Sequence, residues 1–357
     1  MVLDFLLPLL VAGFTTLADY VALHVLTCLV PAFLLAGAMN TFLSRDTIVR
    51  YLGSSERKTV SFPLAAVSSI GLAVCSCTVI PIASGLYRRG SSLGPAFIFL
   101  WTAPALNILT IVYSGAILGL DMTVMRIVAA LSTAFIVGLV MVYVFRREER
   151  EREERARSKT STTGGSGSIS GRKSLVLMLL LVVTLLLPNY LGIGRPYVEK
   201  LMIFSVPLAV TLIYVYKAFK TEEIKEWLRE TWWFVRKIFP LLLAGVFIVG
   251  VVGAVLPELW VQQALGGNGI IPTFLANLMG SVIYFSSLTE SPFVKTLMDL
   301  GMGKAPALAM LLTGPGLSLP SMLAIMRIFT VKKAATYIIT TIVISTLAAF
   351  ALGNLLW

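Results

Sequence analysis

The chain has 357 residues, of which 57% are hydrophobic and 13% charged, and its formal net charge is +11. Because soluble domains carry about 25% charged residues, this composition excludes an ordinary soluble enzyme and indicates a membrane protein. One histidine and three cysteines, without a Cys-x-x-Cys pair, exclude a structural zinc site and a disulfide framework.

Apolar stretches of roughly membrane-spanning length recur along the chain. A helix needs about 20 residues to cross a hydrocarbon core, and stretches near that length lie at residues 20–43, 63–87, 124–145, 175–191, 202–216, 239–256, 270–288 and 334–357. Segment 2–17 is also apolar but lacks a basic start and a cleavage site, so we expect a first helix or an interfacial lead rather than a removed signal peptide. The sequence predicts an all-α polytopic membrane protein with about 8–10 transmembrane segments, in the cytoplasmic (inner) membrane.

The positive charge lies beside these apolar stretches. Basic residues cluster at 45–58, 146–173, 217–237 and 332–333, which is the distribution of loops held at the cytoplasmic face. No nucleic-acid-binding motif accompanies them. The predicted partners are therefore the lipid bilayer and a small-molecule or ion substrate, but no nucleic acid; a homo-oligomer is compatible with the sequence.

Composition divides the chain into five parts. Residues 1–145 predict a first transmembrane repeat, and 146–173 a charged, then Gly/Ser-rich, cytoplasmic linker that we interpret as a tether, with a regulatory role as the alternative. Residues 174–216 predict two connecting helices, and 217–237 an interfacial amphipathic segment with three tryptophans. Residues 238–357 predict a second transmembrane repeat.

The two repeats carry the same pattern of helix-breaking residues. Shifted by 211 positions without a gap, Gly90 meets Gly301 and Pro104 meets Pro315. Matching breaks in two halves of a membrane protein point to a transporter's central site. We therefore predict two pseudo-symmetric, inverted repeats with broken helices or re-entrant hairpins at the centre.

The orientation of the repeats depends on the Pro-interrupted pieces, residues 91–118 and 303–328. If each piece crosses the membrane fully, the repeats are parallel, and basic residues such as Arg50 and Lys332 lie outside. If each piece is a hairpin, the repeats are inverted, those residues lie inside, and mainly Arg88 and Arg89 remain outside. The positive-inside rule favours the inverted arrangement.

The first repeat contains the motif Cys75-Ser76-Cys77-Thr78, followed by Pro81. Pro81 removes one backbone donor, and we expect the helix to break or kink there. Broken helix at membrane depth is found where it lines a cavity or is buried in protein. The thiols and hydroxyls are therefore candidate substrate ligands; the alternative is that both cysteines are small packing residues.

The matching segment of the second repeat holds Ser286, Ser287, Thr289 and Glu290. A carboxylate within a membrane span is a candidate for proton or cation coupling, or for attracting a cationic substrate. The alternative is that Glu290 lies at a helix end and pairs with Lys295.

Each interrupted piece supplies a threonine, a proline break and a polar residue three positions beyond the proline. Two such breaks, facing each other across a pseudo-twofold axis, would bring the dipoles of half-helices to the midplane. The alternative is close helix packing through small residues. The residues concerned are Thr102, Pro104, Asn107, Thr313, Pro315 and Ser318.

The stretch 75–107 resembles the signature of the YraQ/ArsP-type predicted permeases, and the two-repeat plan with a charged central linker extends the likeness over most of the chain. Some members of that family export trivalent organoarsenicals. The second repeat departs from the motif, since it lacks the cysteines and carries Glu290. The resemblance implies a transport core that includes Cys75, Cys77, Pro81, Gly90, Pro104 and Asn107.

The sequence therefore predicts a membrane permease that moves a small solute or ion without ATP, because no Gly-x-x-x-x-Gly-Lys-Ser/Thr loop is present. The leading hypothesis is export of trivalent organoarsenicals or another soft, thiophilic substrate from a site between the repeats. One alternative is a divalent-cation or small-anion transporter or channel that uses Glu290 and the polar breaks. A second is a thiol-redox membrane protein that uses Cys75 and Cys77.

No enzyme activity, cofactor or bound metal is predicted, although Cys75 and Cys77 could serve as ligands for a soft substrate. The predicted substrate-binding residues are Cys75, Ser76, Cys77, Thr78, Pro81, Thr102, Pro104, Asn107, Ser286, Ser287, Thr289, Glu290, Thr313, Pro315 and Ser318.

Overall fold

The computed structural model describes residues 2–21, 25, 29–42, 52, 58–70, 76–152, 172–191, 197–255, 264–283 and 290–355. Their regular structure is helical, apart from one isolated bridge between Gly266 and Met302. The all-α prediction is confirmed. In chain order the helices are α1 (Val2–Tyr20), α2 (Val30–Phe42), α3 (Lys58–Ile70), α4 (Ser76–Arg89), α5 (Leu93–Ala105), α6 (Ile108–Leu118), α7 (Leu120–Val144), α8 (Arg172–Leu191), α9 (Tyr197–Ala218), α10 (Thr221–Val255), α11 (Ile270–Val282), α12 (Glu290–Asp299), α13 (Lys304–Gly316), α14 (Leu319–Phe329) and α15 (Val331–Leu355).

Several of these helices are long and apolar enough to cross a membrane. α7 and α15 contain 25 residues each, which corresponds to about 37 Å against a hydrocarbon core of about 30 Å. Within the described part of the chain, four helices pass this test, or up to six if each bent pair of helices is one span. Apolar side chains four residues apart, such as Val124 and Val128 of α7, are exposed. An apolar exposed face is expected of a helix that faces lipid.

The helix boundaries repeat at the offset of 211 positions. The bounds of α5, α6 and α7 reappear residue for residue as those of α13, α14 and α15, and α11 begins one residue later than the shift of α3 predicts. The connections repeat as well: Gly90 and Gly301 have φ angles of 116° and 104°, and Gly119 and Thr330 have φ angles of 91° and 88°. The repetition in the sequence is therefore also a repetition of backbone structure.

Each Pro-interrupted piece is a bent pair of helices, which differs from the hairpin considered above. α5 and α6 meet at a bend of 41°, and α13 and α14 at a bend of 50°, so the chain continues in the same general direction. Pro104 and Pro315 lie in the last turn before each break, and Asn107 and Ser318 are the N-caps of the next helices. Because a new helix starts at once, the proline produces a kink and not a reversal.

The chain instead reverses direction between α3 and α4. Phe62 of α3 packs against Gly94 at the start of α5, and Ser69 Oγ lies 2.5 Å from Thr102 Oγ1 near the end of α5, so α3 runs alongside α5. α4 then returns to the start of α5, since it ends at Arg89. Residues 71–75, between these two arms, lie outside the described residues. α11 and α12 are the corresponding arms of the second repeat.

One end of the bundle, which we call the charged end, gathers side chains from both repeats. Lys333 in the first turn of α15 pairs with Glu148 at 3.1 Å and donates to Tyr87 Oη at 3.2 Å. Arg88, beside Tyr87, pairs with Glu230 at 3.0 Å. The prediction that residues 88 and 89 lie apart from the other basic residues is wrong. Because α4 runs back towards the start of α5 after the reversal, its last residues, Arg88 and Arg89, lie at this end.

Segment 217–237 forms the end of α9 and the first half of α10, a single helix of 35 residues. Trp227 is buried, and its Nε1 donates to the Leu34 carbonyl at 2.8 Å, whereas Trp232 is 65% exposed. This half of α10 therefore packs against α2 with one face and leaves an aromatic, charged face uncovered.

Thr330 occupies a conformation that its counterpart Gly119 adopts without strain. Its φ is 88° and its ψ is 149°, where a β-branched residue costs on the order of 1–3 kcal/mol. We expect Thr330→Gly to raise the free energy of unfolding of the detergent-solubilised protein by a similar amount. The matched change Thr336→Gly, inside α15, should lower it by about 0.3 kcal/mol, the difference between the helix propensities of Thr and Gly. A Thr330→Gly variant less stable than the wild type would contradict the conformation of this connection.

Candidate functional site

Two helix starts, one from each repeat, meet at a buried place in the bundle. α4 begins at Ser76, and α14 begins after its N-cap Ser318. Ser321 Oγ lies 2.8 Å from both Ser76 Oγ and Ser318 Oγ, and Cys77 Sγ lies 3.7 Å from Ser321 Oγ. All four side chains are buried. We call Ser76, Cys77, Ser318 and Ser321 the serine–cysteine cluster.

The serine–cysteine cluster concentrates hydrogen-bonding groups at one buried place. The first N–H groups of a helix have no partner within the helix, and the helix start carries a partial positive charge. The start of α14 and the first described residues of α4 meet here, beside three hydroxyls and a thiol. This arrangement can hold a small polar solute through the N–H and hydroxyl groups, or a soft solute through sulfur.

The structure brings together three of the predicted residues, Ser76, Cys77 and Ser318. Sequence reasoning missed Ser321; its signal was the spacing, since a residue three positions after Ser318 lies on the same helix face. Cys75 lies outside the described residues, so a shared ligand for Cys75 and Cys77 stays a prediction. The other predicted residues outside the described part are Ser286, Ser287 and Thr289.

Pro81 lies inside α4, so the helix does not break at this residue. A kink, the other outcome expected there, stays a prediction. Pro81 falls in the second turn of the described part of α4, where it cannot donate to the carbonyl of Cys77 four residues earlier. Residues 71–75, which precede α4, lie outside the described residues. Thr78 is buried on the same turn of α4.

A second buried polar group joins the repeats through opposite charges. Arg126 Nη2 and Glu290 Oε2 are 3.0 Å apart, and both side chains are 0% exposed. Arg126 also donates from Nη1 to Ser114 Oγ at 2.9 Å and from Nε to the Ala105 carbonyl at 3.2 Å. Ser114 Oγ lies 2.9 Å from Ser291 Oγ. A guanidinium of the first repeat thus binds a carboxylate of the second.

This geometry overturns the alternative partner of Glu290. Lys295 pairs with Asp299 at 2.5 Å on the surface of α12. Sequence reasoning missed Arg126. The available signal was an arginine in the otherwise apolar stretch 124–145, since a charge at membrane depth is a candidate functional residue.

The polar residues beside the proline breaks hold neighbouring helices together. Thr102 Oγ1 joins α5 to Ser69 of α3, and Thr313 Oγ1 donates to a carbonyl of α11 at 3.0 Å. Asn107 Oδ1 accepts from the backbone N–H of Thr110 at 2.8 Å, as an N-cap does. These contacts agree with the helix-packing alternative, and a role of these residues in substrate binding stays a prediction.

Comparison with known proteins identifies relatives over the whole length of the chain. The family model ArsP_1, described as a predicted permease, matches residues 10–354. UPF0718 protein MJ0584 of Methanocaldococcus jannaschii is 37% identical over 371 residues, which cover 99% of each chain. UPF0718 protein YraQ of Escherichia coli is 25% identical over 321 residues, which cover 88% of this chain and 74% of that one. No solved structure matches.

The buried ion pair can be tested by a double-mutant cycle. Glu290→Gln leaves the guanidinium of Arg126 without a counter-charge, and breaking a buried pair in this way costs about 3–5 kcal/mol. We expect Glu290→Gln to lower the free energy of unfolding by that order in detergent, and the added change Arg126→Gln to restore most of the loss. The control Asp299→Asn, which breaks the exposed pair of the same helix, should cost at most about 1 kcal/mol. Additive losses in the double variant would argue against direct pairing.

Proposed function

The chain belongs to the ArsP_1 family of predicted permeases, and we propose that this membrane permease moves a small solute, without ATP, through a site between its two repeats. The observation that carries the proposal is the serine–cysteine cluster. It joins the starts of two half-helices from different repeats at a buried place, as central sites of secondary transporters do. Interrupting helices inside a membrane is otherwise unfavourable, because the freed backbone groups need partners.

Inverted orientation of the repeats is supported by the contacts of the helix ends. α7 and α15 are corresponding helices that pack against each other, and Lys333 in the first turn of α15 meets Glu148, just beyond the last turn of α7. The two helices therefore run in opposite directions. Moreover, α4 packs against α14 while α12 packs against α6, which is the reciprocal exchange expected of a twofold axis. An axis in the membrane plane relates inverted repeats.

We propose that the charged end faces the cytoplasm and that the protein lies in the cytoplasmic (inner) membrane. Arg88, Lys333 and residues 146–152 lie at this end, and the positive-inside rule assigns such a concentration of basic residues to the cytoplasmic side. The connection at 264–269, beside the start of α11, contains no lysine or arginine. This contrast supports the opposite side for that connection.

For the cargo we propose a soft, thiophilic solute such as a trivalent organoarsenical, moved outward. Cys77 belongs to the serine–cysteine cluster, and Cys75 precedes it by two residues. Sulfur ligands favour soft species, and two close sulfurs add a chelate advantage that one sulfur lacks. The resemblance of segment 75–107 to the family signature points the same way.

An ion is the second candidate cargo, and the Arg126–Glu290 pair is the observation that favours it. A divalent cation fits this pair poorly, because the guanidinium already neutralises the carboxylate and repels a further positive charge. The pair is better suited to a proton and an anion bound together, since their charges cancel.

The orientation can be tested by labelling single cysteines in a cysteine-free background. Cysteines at positions 50, 88, 160 and 332 should react with an impermeant reagent only from the cytoplasmic side, and a cysteine at position 266 only from outside, because of the distribution of basic residues. Labelling of position 332 from outside, with position 50 inside, would mean that the repeats are not arranged as proposed.

The role of the cysteines can be tested in proteoliposomes. We expect Cys75→Ser and Cys77→Ser each to lower the flux of a trivalent arsenical about tenfold or more, because a hydroxyl is a poor ligand for a soft centre. Thermal stability should change little. Cys28→Ser serves as the matched control and should retain the flux. If the variant with both serines transports at the wild-type rate, the cysteines are packing residues.

A further inference from the structure

The buried pair of Arg126 and Glu290 is incompletely satisfied. Glu290 Oε1 and Thr110 Oγ1 are buried and have no hydrogen-bond partner among the described residues. Thr110 corresponds to Ser321 at the offset of 211 positions. Since Ser321 bonds to the start of α4, we expect Thr110 to face the start of α12, where Glu290 lies. A buried carboxylate oxygen without a hydrogen-bond partner is unfavourable. Binding of a proton or a ligand at this oxygen removes that cost.

Among the described residues, one charged group acts on Glu290. α12 packs against α6 and α13, and Arg126 reaches it from α7. On α12 itself, Lys295 and Asp299 pair with each other at the surface. Among the titratable side chains of those packed helices, Arg126 is the charged group that acts on Glu290. The titratable side chains of α6, α7 and α13 are Tyr113, Asp121, Arg126, Tyr143 and Lys304.

Charge balance limits what such a site can accept. The pair is neutral as it stands, and a cation or an anion bound alone would leave one uncompensated charge in a buried place, which is unfavourable. A proton on Glu290 together with one monovalent anion at Arg126 keeps the total at zero. The guanidinium itself stays charged throughout, since arginine does not lose its proton in proteins.

We propose that Arg126 is the binding group for a small monovalent oxyanion or carboxylate, which takes the place of the Glu290 carboxylate when a proton neutralises it. The guanidinium suits this class because its planar fork of donors matches two oxygen atoms. The inference rests on the proposed permease function and assigns to it a substrate that is transported together with one proton.

The exchange balances in charge and in protons. A proton from water binds a carboxylate oxygen of Glu290. The anion then accepts the hydrogen bond from Arg126 Nη2 that Glu290 has released. When the anion and the proton leave on the other side, the Glu290 carboxylate returns to Arg126. Because the pair links α7 of one repeat to α12 of the other, the same exchange opens and remakes a contact between the repeats.

Chemical rescue tests the binding site without transport. Glu290→Ala removes the carboxylate and leaves Arg126 without its partner, so formate should raise the melting temperature of this variant in a dose-dependent way. Chloride at matched ionic strength should act less, because a spherical ion offers the fork one acceptor and not two oxygen atoms for two parallel hydrogen bonds. The additional change Arg126→Gln should abolish the formate-specific shift. If Glu290→Ala cannot be purified, Glu290→Gln takes its place in the same measurement.

Ion flux in proteoliposomes tests the coupling, with nitrate as the probe and an internal pH dye. In the wild type, nitrate entry should carry one proton per anion and should not respond to an imposed membrane potential, since no net charge moves. Glu290→Gln cannot bind the proton, so its nitrate flux should become independent of pH and dependent on the potential. Arg126→Gln should lower nitrate flux about tenfold to a hundredfold, as loss of a charged hydrogen bond does. Asp299→Asn should behave like the wild type.

The outcomes separate this inference from the permease proposal. Formate stabilisation that requires Arg126, with electroneutral nitrate flux, supports both. If a trivalent arsenical is transported but nitrate is not, and formate does not stabilise Glu290→Ala, the pair is only structural and the anion site is overturned while the permease stands. If no solute of either kind moves but formate stabilises Glu290→Ala through Arg126, the anion site stands and the permease proposal fails.

Discussion

Backbone polar groups that leave a helix inside a bilayer must find partners within the protein, because the lipid offers none. This constraint explains why the interruptions of the two repeats lie together. The start of α4 is covered by Ser318 and Ser321 from the other repeat, and the start of α6 is capped by Asn107. The start of α6 is thus capped within its own repeat, whereas Ser76 at the start of α4 bonds to hydroxyls of the other repeat. The same groups that make the repeats dependent on each other also form the polar centre of the bundle.

The two repeats share a backbone but differ in the chemistry at their centres. Val79 stands in the first repeat where Glu290 stands in the second, and Tyr337 stands in the second where Arg126 stands in the first. All four side chains are fully buried. One half of the centre therefore contains hydroxyls and sulfur, and the other contains a neutral pair of opposite charges. Two repeats with the same backbone can thus place two kinds of binding group at the interface between them.

Several features of the fold and the site could be predicted from local sequence alone. The offset of 211 positions, the interruptions after Pro104 and Pro315, and the permease family were all readable, because each depends on residue type and spacing along the chain. The interruption near Pro81 was misplaced, since a proline within the second turn of a helix looks the same in sequence as one at a break. The side on which Arg88 lies was also misjudged, because the reversal was assigned to the wrong pair of helices.

The sequence by itself indicated a helical membrane protein with a repeated pattern of Gly and Pro, because hydropathy and the spacing of Gly and Pro are local properties that act on a helix before it meets its neighbours. The tertiary structure alone decided which polar groups meet. Arg126 and Glu290 are 164 positions apart, and Ser76 and Ser321 are 245 positions apart. No periodicity connects residues at such separations. Their pairing follows from how two bent helix pairs and two reversals pack, and a buried charge is tolerated only where that packing supplies its partner.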